Sequence, residues 1–407
     1  MAARARSRFR SPLAHPAVLL ALAAQGCVFP AGRAPQLSAT AAVREAHRRA
    51  DLATDALLEL YWRDSIESFA DCWPSPRGPT PFWTYAQAAE AVLDAAERTD
   101  GRKYRDRVPA LYAAQDRRGW RSDYFDDEAW MALFVLRAYA FLGEPTYLRQ
   151  ARSLLEDIAQ GASDASCCGA VPGGLWWDRA HTQKATAANA GAALAAARLY
   201  EATGETRWLS FAKDTYAFWI AHMVDRHTGQ AADHLRTDGT RVYWRFTYNE
   251  GLLVGAAVAL HRVTGDEAYL RDARRLAAFL LAAETAPTPF GPVLSDGPDC
   301  TGDCDAFKGI AHRYLAELVS EDPGVPGVAD LLAADAAAIW ALDRNEEGVF
   351  GTAWAGPPPR SATLAAQSAA AAALNLEARR IGPSPSGRGE PGRARAGLGA
   401  LSLRRAP

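Results

Sequence analysis

The chain has 407 residues, 49% of them hydrophobic, with 12 Trp, 13 Tyr and 14 Phe and a formal charge of −2. That length allows one large domain or two to three smaller ones, with aromatics to spare once a core is built. The near-neutral balance and the absence of a basic stripe interleaved with aromatics argue against a nucleic-acid or other polyanionic partner.

Taken in order, the N-terminus reads as an export leader over residues 1–38. Arg4, Arg6, Arg8 and Arg10 form a basic region and Ala17 to Ala24 a short apolar run, too short to span a bilayer. Ala24-Gln25-Gly26-Cys27 offers two readings: a lipoprotein site with Cys27 as the lipid anchor, or a signal peptide whose Cys27 is removed. Both place the mature protein outside the cytoplasm, secreted, periplasmic or anchored at the cell surface.

Apolar residues then recur at helical spacing in about twelve runs. They begin near Thr40, Phe82, Arg102, Asp126, Pro145, Thr182, Thr206, Phe246, Glu267, Asp305, Pro326 and Ala362. Alternating β-branched runs are nearly absent. A turn repeats with a fixed period: Gly143, Gly204 and Gly265 are each 61 positions apart. Each is followed by Glu or Asp and then by an aromatic-Leu-x-x-Ala run. Thr99-Asp100-Gly101 before Tyr104 is a degenerate copy. Gly suits the left-handed residue that ends a helix, and an acid suits the start of the next. Each copy therefore reads as the bend of an αα-hairpin, and repeated hairpins must bury their faces against one another. Six pairs close into an all-α (α/α)6 barrel, a toroid occupying residues 39–381. Helices after long loops become the inner ring and helices after short Gly bends the outer one. The Ala-rich stretches Ala187 to Ala197 and Ala365 to Ala373 suit a crowded axis. An open solenoid is the alternative, and it would need polar capping repeats at both ends. Residues 382–407, rich in Gly, Pro, Ser and Arg without periodicity, are expected to be a disordered tail.

Six cysteines are present. Cys300 and Cys304 are spaced to close a small disulfide loop in an oxidising compartment. A metal would need Cys167 and Cys168 brought to the same place, and no Cys-x-x-Cys or His pair supports one. No metal or cofactor is expected.

The long loops all enter inner helices, so their residues converge on one face. Asp126 and Asp127 open the run Tyr-Phe-Asp-Asp-Glu-Ala-Trp. One aspartate in a first turn is ordinarily a cap. Two in succession leave one free to face whatever the helix end faces. On the same face fall Trp73, Trp83, Gly173-Gly174-Leu175-Trp176-Trp177-Asp178, Lys184, Asn189, Tyr248, Asn249, Glu250, Phe307 and Lys308. Aromatic faces that stack on pyranose C–H groups, with acids and amides for the hydroxyls, suit a sugar cleft. Singly, each has a plainer role as core aromatic, solvated lysine or helix cap. There is no Gly-x-Ser-x-Gly elbow, P-loop, His-Glu-x-x-His or dinucleotide fingerprint.

The order Tyr-Phe-Asp126-Asp127-x-x-Trp130, Gly-Gly-Leu-Trp-Trp-Asp178, Lys184 with Asn189, Phe-Thr-Tyr-Asn249-x-Gly251 and Phe-Lys308-Gly309-Ile-x-x-Arg313-Tyr314-Leu resembles glycoside hydrolase family 76, the α-1,6-mannanases, from about Thr40 to Arg380. The resemblance implies an (α/α)6 barrel and a retaining endo-hydrolase of α-mannan; the chain is expected to act as a monomer. It implies Asp126 as nucleophile and Asp127 as general acid/base. Asp233 falls where the family places another sugar-binding acid, although His234-Leu235 follow it here. A transglycosidase sharing the covalent intermediate, and a catalytically silent mannan-binding surface protein, are the rival readings.

Overall fold

The computed structural model describes residues 38–297, 300 and 302–383. The leader, with Cys27, and the tail expected beyond Ile381 lie outside the described residues, apart from Ser38, Gly382 and Pro383. Among the described residues there are twelve helices of eleven residues or more. They are α1 (Ala39–Tyr61), α2 (Phe82–Thr99), α3 (Arg107–Arg118, after a single turn at Arg102–Arg105), α4 (Phe125–Leu142), α5 (Pro145–Gly161) and α6 (Thr186–Thr203). Then follow α7 (Thr206–Met223), α8 (Thr247–Thr264), α9 (Glu267–Ala283), α10 (Cys304–Glu321), α11 (Val328–Ala338) and α12 (Leu364–Ile381).

The even-numbered helices form the inner ring. Each packs on the next, and α12 returns to α2, so the ring closes and the open solenoid is excluded. The odd-numbered helices lie outside: α3 on α2, α5 on α4, α7 on α6, α9 on α8, α11 on α10, and α1 on α12. Inner helices are buried around most of their circumference, α6 and α12 through runs of alanine. Their backbones touch in places. A Cβ on Gly251 would meet the Cα of Ala311 at 2.5 Å, and one on Gly309 the Cα of Ala369 at 2.6 Å.

The three expected bends are present. Gly143, Gly204 and Gly265 have φ of 77°, 71° and 70°, and each donates its N–H to the carbonyl four residues back, at 2.7–2.8 Å. In the degenerate copy the left-handed residue is Asp100, at φ 50°, one position before Gly101. Asp is among the few side chains that tolerate that region.

One helix starts later than its periodicity suggests, at Thr186 instead of Thr182. Gln183–Ala185 is a short strand paired antiparallel with His234–Arg236, which pairs in turn with Arg241–Val242. Cross-strand pairing outcompetes a helical first turn there.

The barrel interior is not purely apolar. Asp94 on α2 accepts from Arg137 of α4 at 2.7 Å and from Arg313 of α10 at 2.6 Å, with Glu90 beside them. Arg198 of α6 pairs with Glu317 of α10 at 2.5 Å. These bridges join inner helices across the ring. Cys300 and Cys304 are disulfide-bonded, as expected, and Cys167 and Cys168 are bonded to each other. No helix among the described residues is long and apolar enough to cross a membrane.

Candidate active site

Three acids, Asp126, Asp127 and Glu128, occupy the first turn of α4. The helix takes no cap from its N-cap side chain, which is Tyr124. The aspartates are therefore not explained as that cap, and each has a separate partner.

Asp126 is held by a loop that crosses the helix end. The Phe125 N–H donates to the Trp177 carbonyl at 2.8 Å, and Tyr124 pairs with Asp178. This brings Trp177 Nε1 to 2.9 Å from Asp126 Oδ2, while the Asp127 N–H reaches Asp126 Oδ1 at 3.0 Å. The Trp177 ring also packs on Tyr124, with centroids 4.7 Å apart. The loop can pass because Gly174, at φ 82°, lies under Phe218; a Cβ would sit 2.4 Å from that ring.

Lys184 and Asn189, expected to meet substrate, are both fully buried beneath this loop. Lys184 Nζ donates to Asp164 at 2.7 Å, to the Cys167 carbonyl at 2.6 Å and to the Gly173 carbonyl. Asn189 bonds both the N–H and the C=O of Leu175, at 2.8 and 3.0 Å. A buried polar group must be matched, and every one of these bonds goes to protein. Their work is to hold the Gly-Gly-Leu-Trp-Trp run in place. Trp176 is buried as well, stacked on His181 at 4.8 Å with Lys184 over its ring. Trp177 and Trp83, in the first turn of α2, remain half-buried.

A second group lies near enough for the Asp126 charge to act on Tyr248. Tyr248 donates its hydroxyl to Asp233 at 2.7 Å, and Asn249 Nδ2 is 3.4 Å from the same oxygen. His234 Nδ1 bonds the other Asp233 oxygen at 2.7 Å. The departure at His234 thus supplies Asp233 with a partner. Tyr248 packs on Phe307 at 4.5 Å, and Phe246 on Phe307 at 5.0 Å. Trp244, 51% exposed, stands at the end of this aromatic run. Lys308 is buried; its ammonium donates to Asp296 at 3.1 Å, and Asp296 receives the Thr247 N–H that opens α8. Lys308 therefore anchors the entry to α8 through Asp296.

The electrostatics set the pair apart. Burial raises Asp126 well above the ordinary carboxylate range, and the neighbouring Asp127 charge adds to it. Burial raises Asp127 too, opposed by its bond from Ser122. Like charges this close cannot both ionise cheaply, so the two share a proton over part of the neutral range. The Tyr248 phenol is also pushed up, first by burial and then by the charges of Asp233 and Asp126. It stays protonated as a donor. Perturbed acids between aromatic faces are what acid/base and nucleophilic chemistry on a sugar requires.

The sequence alone does not single out Ser122, Glu128 or Arg179. Glu128 was visible as the third acid of a run. Arg179 carries no local signal, because Ser122, Glu128 and Asp157 are far along the chain, and Ser122 carries none because its hydroxyl meets Asp127 only once the loop folds back on the helix.

The family model described as glycosyl hydrolase family 76 matches residues 45–385. Among curated proteins, mannan endo-1,6-alpha-mannosidase DCW1 of Candida glabrata is 25% identical over 274 residues, 60% of this chain and 60% of that one. Its Saccharomyces cerevisiae namesake is 27% identical over 277 residues, 60% and 59%. The chain thus spans about three fifths of the curated relatives it matches. Among solved structures, a Listeria innocua protein aligns with a TM-score of 0.75 at 26% identity, covering 82% of this chain and 97% of that one. The α-1,6-mannanase GH76A of Salegentibacter sp. HEL1_6 aligns at 0.73 and 26%, covering 82% and 99%. An inactive variant of that mannanase, with two consecutive aspartates replaced by asparagine, was solved with α-1,6-mannotriose, and matches at 0.73 and 25%, covering 82% and 99%.

Proposed function

The chain belongs to glycosyl hydrolase family 76, and from that premise we propose that it is a retaining endo-α-1,6-mannanase. The observation that carries the reading is the pair at the start of α4: two adjacent carboxyls with raised proton affinity, bonded by Trp177 and near Tyr248. The Salegentibacter variant, inactive once two consecutive aspartates are replaced, supports it.

Asp126 is assigned as nucleophile. It accepts two fixed donors, Trp177 Nε1 and the Asp127 N–H, which favour its anion against the burial and the Asp127 charge that raise its proton affinity. Asp127 is assigned as acid/base. In the first step Asp126 attacks the anomeric carbon, the C1–O6 bond breaks, and Asp127 gives its proton to the departing oxygen. The product is a mannosyl ester on Asp126. In the second step Asp127 takes a proton from water as that water attacks C1 and frees the carboxylate. Two inversions restore the α configuration. Retention needs the carboxyls only ~5–5.5 Å apart, a spacing within reach of neighbours in one turn. Trp83, Trp177 and Phe307 supply faces for pyranose rings. Asp233 and Tyr248 bond hydroxyls. Trp176, Lys184, Asn189, Asn249 and Lys308 hold these groups in position. No metal enters the scheme, and the chain acts as a monomer. Export is supported by two disulfides, which persist in oxidising compartments.

Incubation with linear α-1,6-mannan is expected to release short manno-oligosaccharides, and Asp126→Asn and Asp127→Asn to abolish release. Full activity in either variant would end the mechanism. Longer products that appear only when an acceptor glycan is added would turn the reading to transglycosylation.

A further inference from the structure

We infer that Ser122 is a positioning residue for Asp127, and that Glu128 and Arg179 exist to hold Ser122 in place. The inference rests on the reading of Asp127 as acid/base. Ser122 lies in the loop before α4, and its Oγ is 2.6 Å from Asp127 Oδ2. The Tyr124 N–H donates to the same Oγ at 3.2 Å, which turns the hydroxyl proton toward the carboxylate.

The backbone of Ser122 is fixed at both ends. Its N–H donates to Glu128 Oε1 at 3.2 Å, and its carbonyl accepts from Arg179 Nε at 2.8 Å. Arg179 also bonds Glu128 and Asp157, each at 2.5 Å, and its guanidinium lies 4.7 Å over the Phe125 ring. Glu128 is fully buried one residue after Asp127, and Arg121 reaches it at 3.5 Å. So the third acid of the first turn faces away from the pair and ties the loop down. Burying a carboxylate is costly unless it is matched. The return here is a serine whose backbone cannot drift.

The chemistry explains the need. Asp127 must lose its proton in the first step and hold charge until the second. A hydroxyl aimed at its oxygen stabilises that carboxylate. The charged groups facing Asp127 are Asp303 ahead of α10, which opposes its ionisation, and Asp126 on its own helix, which is itself raised by the Asp127 charge. Arg121 and Arg179 are engaged by Glu128 and Asp157 and reach neither carboxyl of the pair. Ser122 is therefore the side-chain donor that offsets burial at Asp127.

The test is the pH dependence of kcat/KM on an α-1,6-manno-oligosaccharide for the wild type, Ser122→Ala and Ser122→Thr. Ser122→Ala is expected to move the alkaline limb, where the acid is lost, upward by about one pH unit, the size of a charge-assisted hydrogen bond. KM should hold and kcat fall, and Ser122→Thr should restore the profile. An alkaline limb that stays put in Ser122→Ala would overturn the inference. So would a loss of kcat that threonine fails to restore. A wild type without turnover would remove the reaction assignment alone. Titration of the 13C-labelled Asp127 carboxyl in wild type and Ser122→Ala still decides the inference: an upward shift supports it, and identical titrations refute it.

Discussion

Trp177→Phe removes a donor to the proposed nucleophile. The backbone of residue 177 is held independently, by the Phe125 N–H on its carbonyl and by the Gln183 carbonyl on its N–H, each at 2.8 Å. A phenyl ring keeps part of the contact with Tyr124 and part of the face offered to a pyranose, and it removes the Nε1 donor 2.9 Å from Asp126. Hydrogen bonds to charged groups contribute about 1.5–3 kcal/mol. At 1.36 kcal/mol per factor of ten, kcat/KM should fall roughly 10- to 150-fold. The direction in pH follows from the sign. The donor favours the anion of Asp126, so its loss raises the proton affinity of the nucleophile. The acidic limb of the profile should therefore move to higher pH, while thermal stability stays nearly unchanged. The assay is reducing-end release from an α-1,6-manno-oligosaccharide across pH. A variant with wild-type kcat/KM and an unmoved acidic limb would refute Asp126 as the ionised partner.

Other regions give sharper tests of the fold. Asp94→Ala leaves Arg137 and Arg313 short of a buried acceptor and should cost about 3–5 kcal/mol in denaturant unfolding; a loss under 1 kcal/mol would show the bridges are dispensable. Gly251→Val would drive a side chain into Ala311 at a 2.5 Å contact, so a destabilisation of at least about 1–3 kcal/mol is expected, read by thermal melting. Glu284 is buried against another carboxyl, and burial together with Glu250 and Asp296 pushes it up to about 10. A raised folded value favours the protonated form, so its stabilising contribution is present at acid pH and lost as pH rises toward 10. Glu284→Gln should flatten the decline in melting temperature between pH 5 and pH 9; an equally steep decline would remove Glu284 as its cause.

The toroid was legible because helix ends are local chemistry. Gly143, Gly204 and Gly265 each announce a left-handed stop, and the equal spacing announces the pairing. The missed strand at Gln183–Ala185 was not legible, since its partners lie some fifty residues away at His234–Arg236. The same limit applies inside the ring. Asp94, Arg137 and Arg313 sit on three helices, and nothing within any one helix says that their charges meet. At the site, the aspartates stood out through adjacency. Lys184, Asn189 and Lys308 stand at or near the starts of inner helices, but composition does not tell a lysine that meets a ligand from one buried on carbonyls. Ser122 is an ordinary loop serine until the helix beside it is in place.

The anomeric form of the first product tests the central claim most directly. Proton NMR should be followed through the opening minutes of linear α-1,6-mannan cleavage, before mutarotation mixes the forms. The α-anomer of the new reducing end should appear first, with no signal from Asp126→Asn. An initial β-anomer, or product formation that survives loss of the Asp126 charge, would contradict a double displacement at this pair.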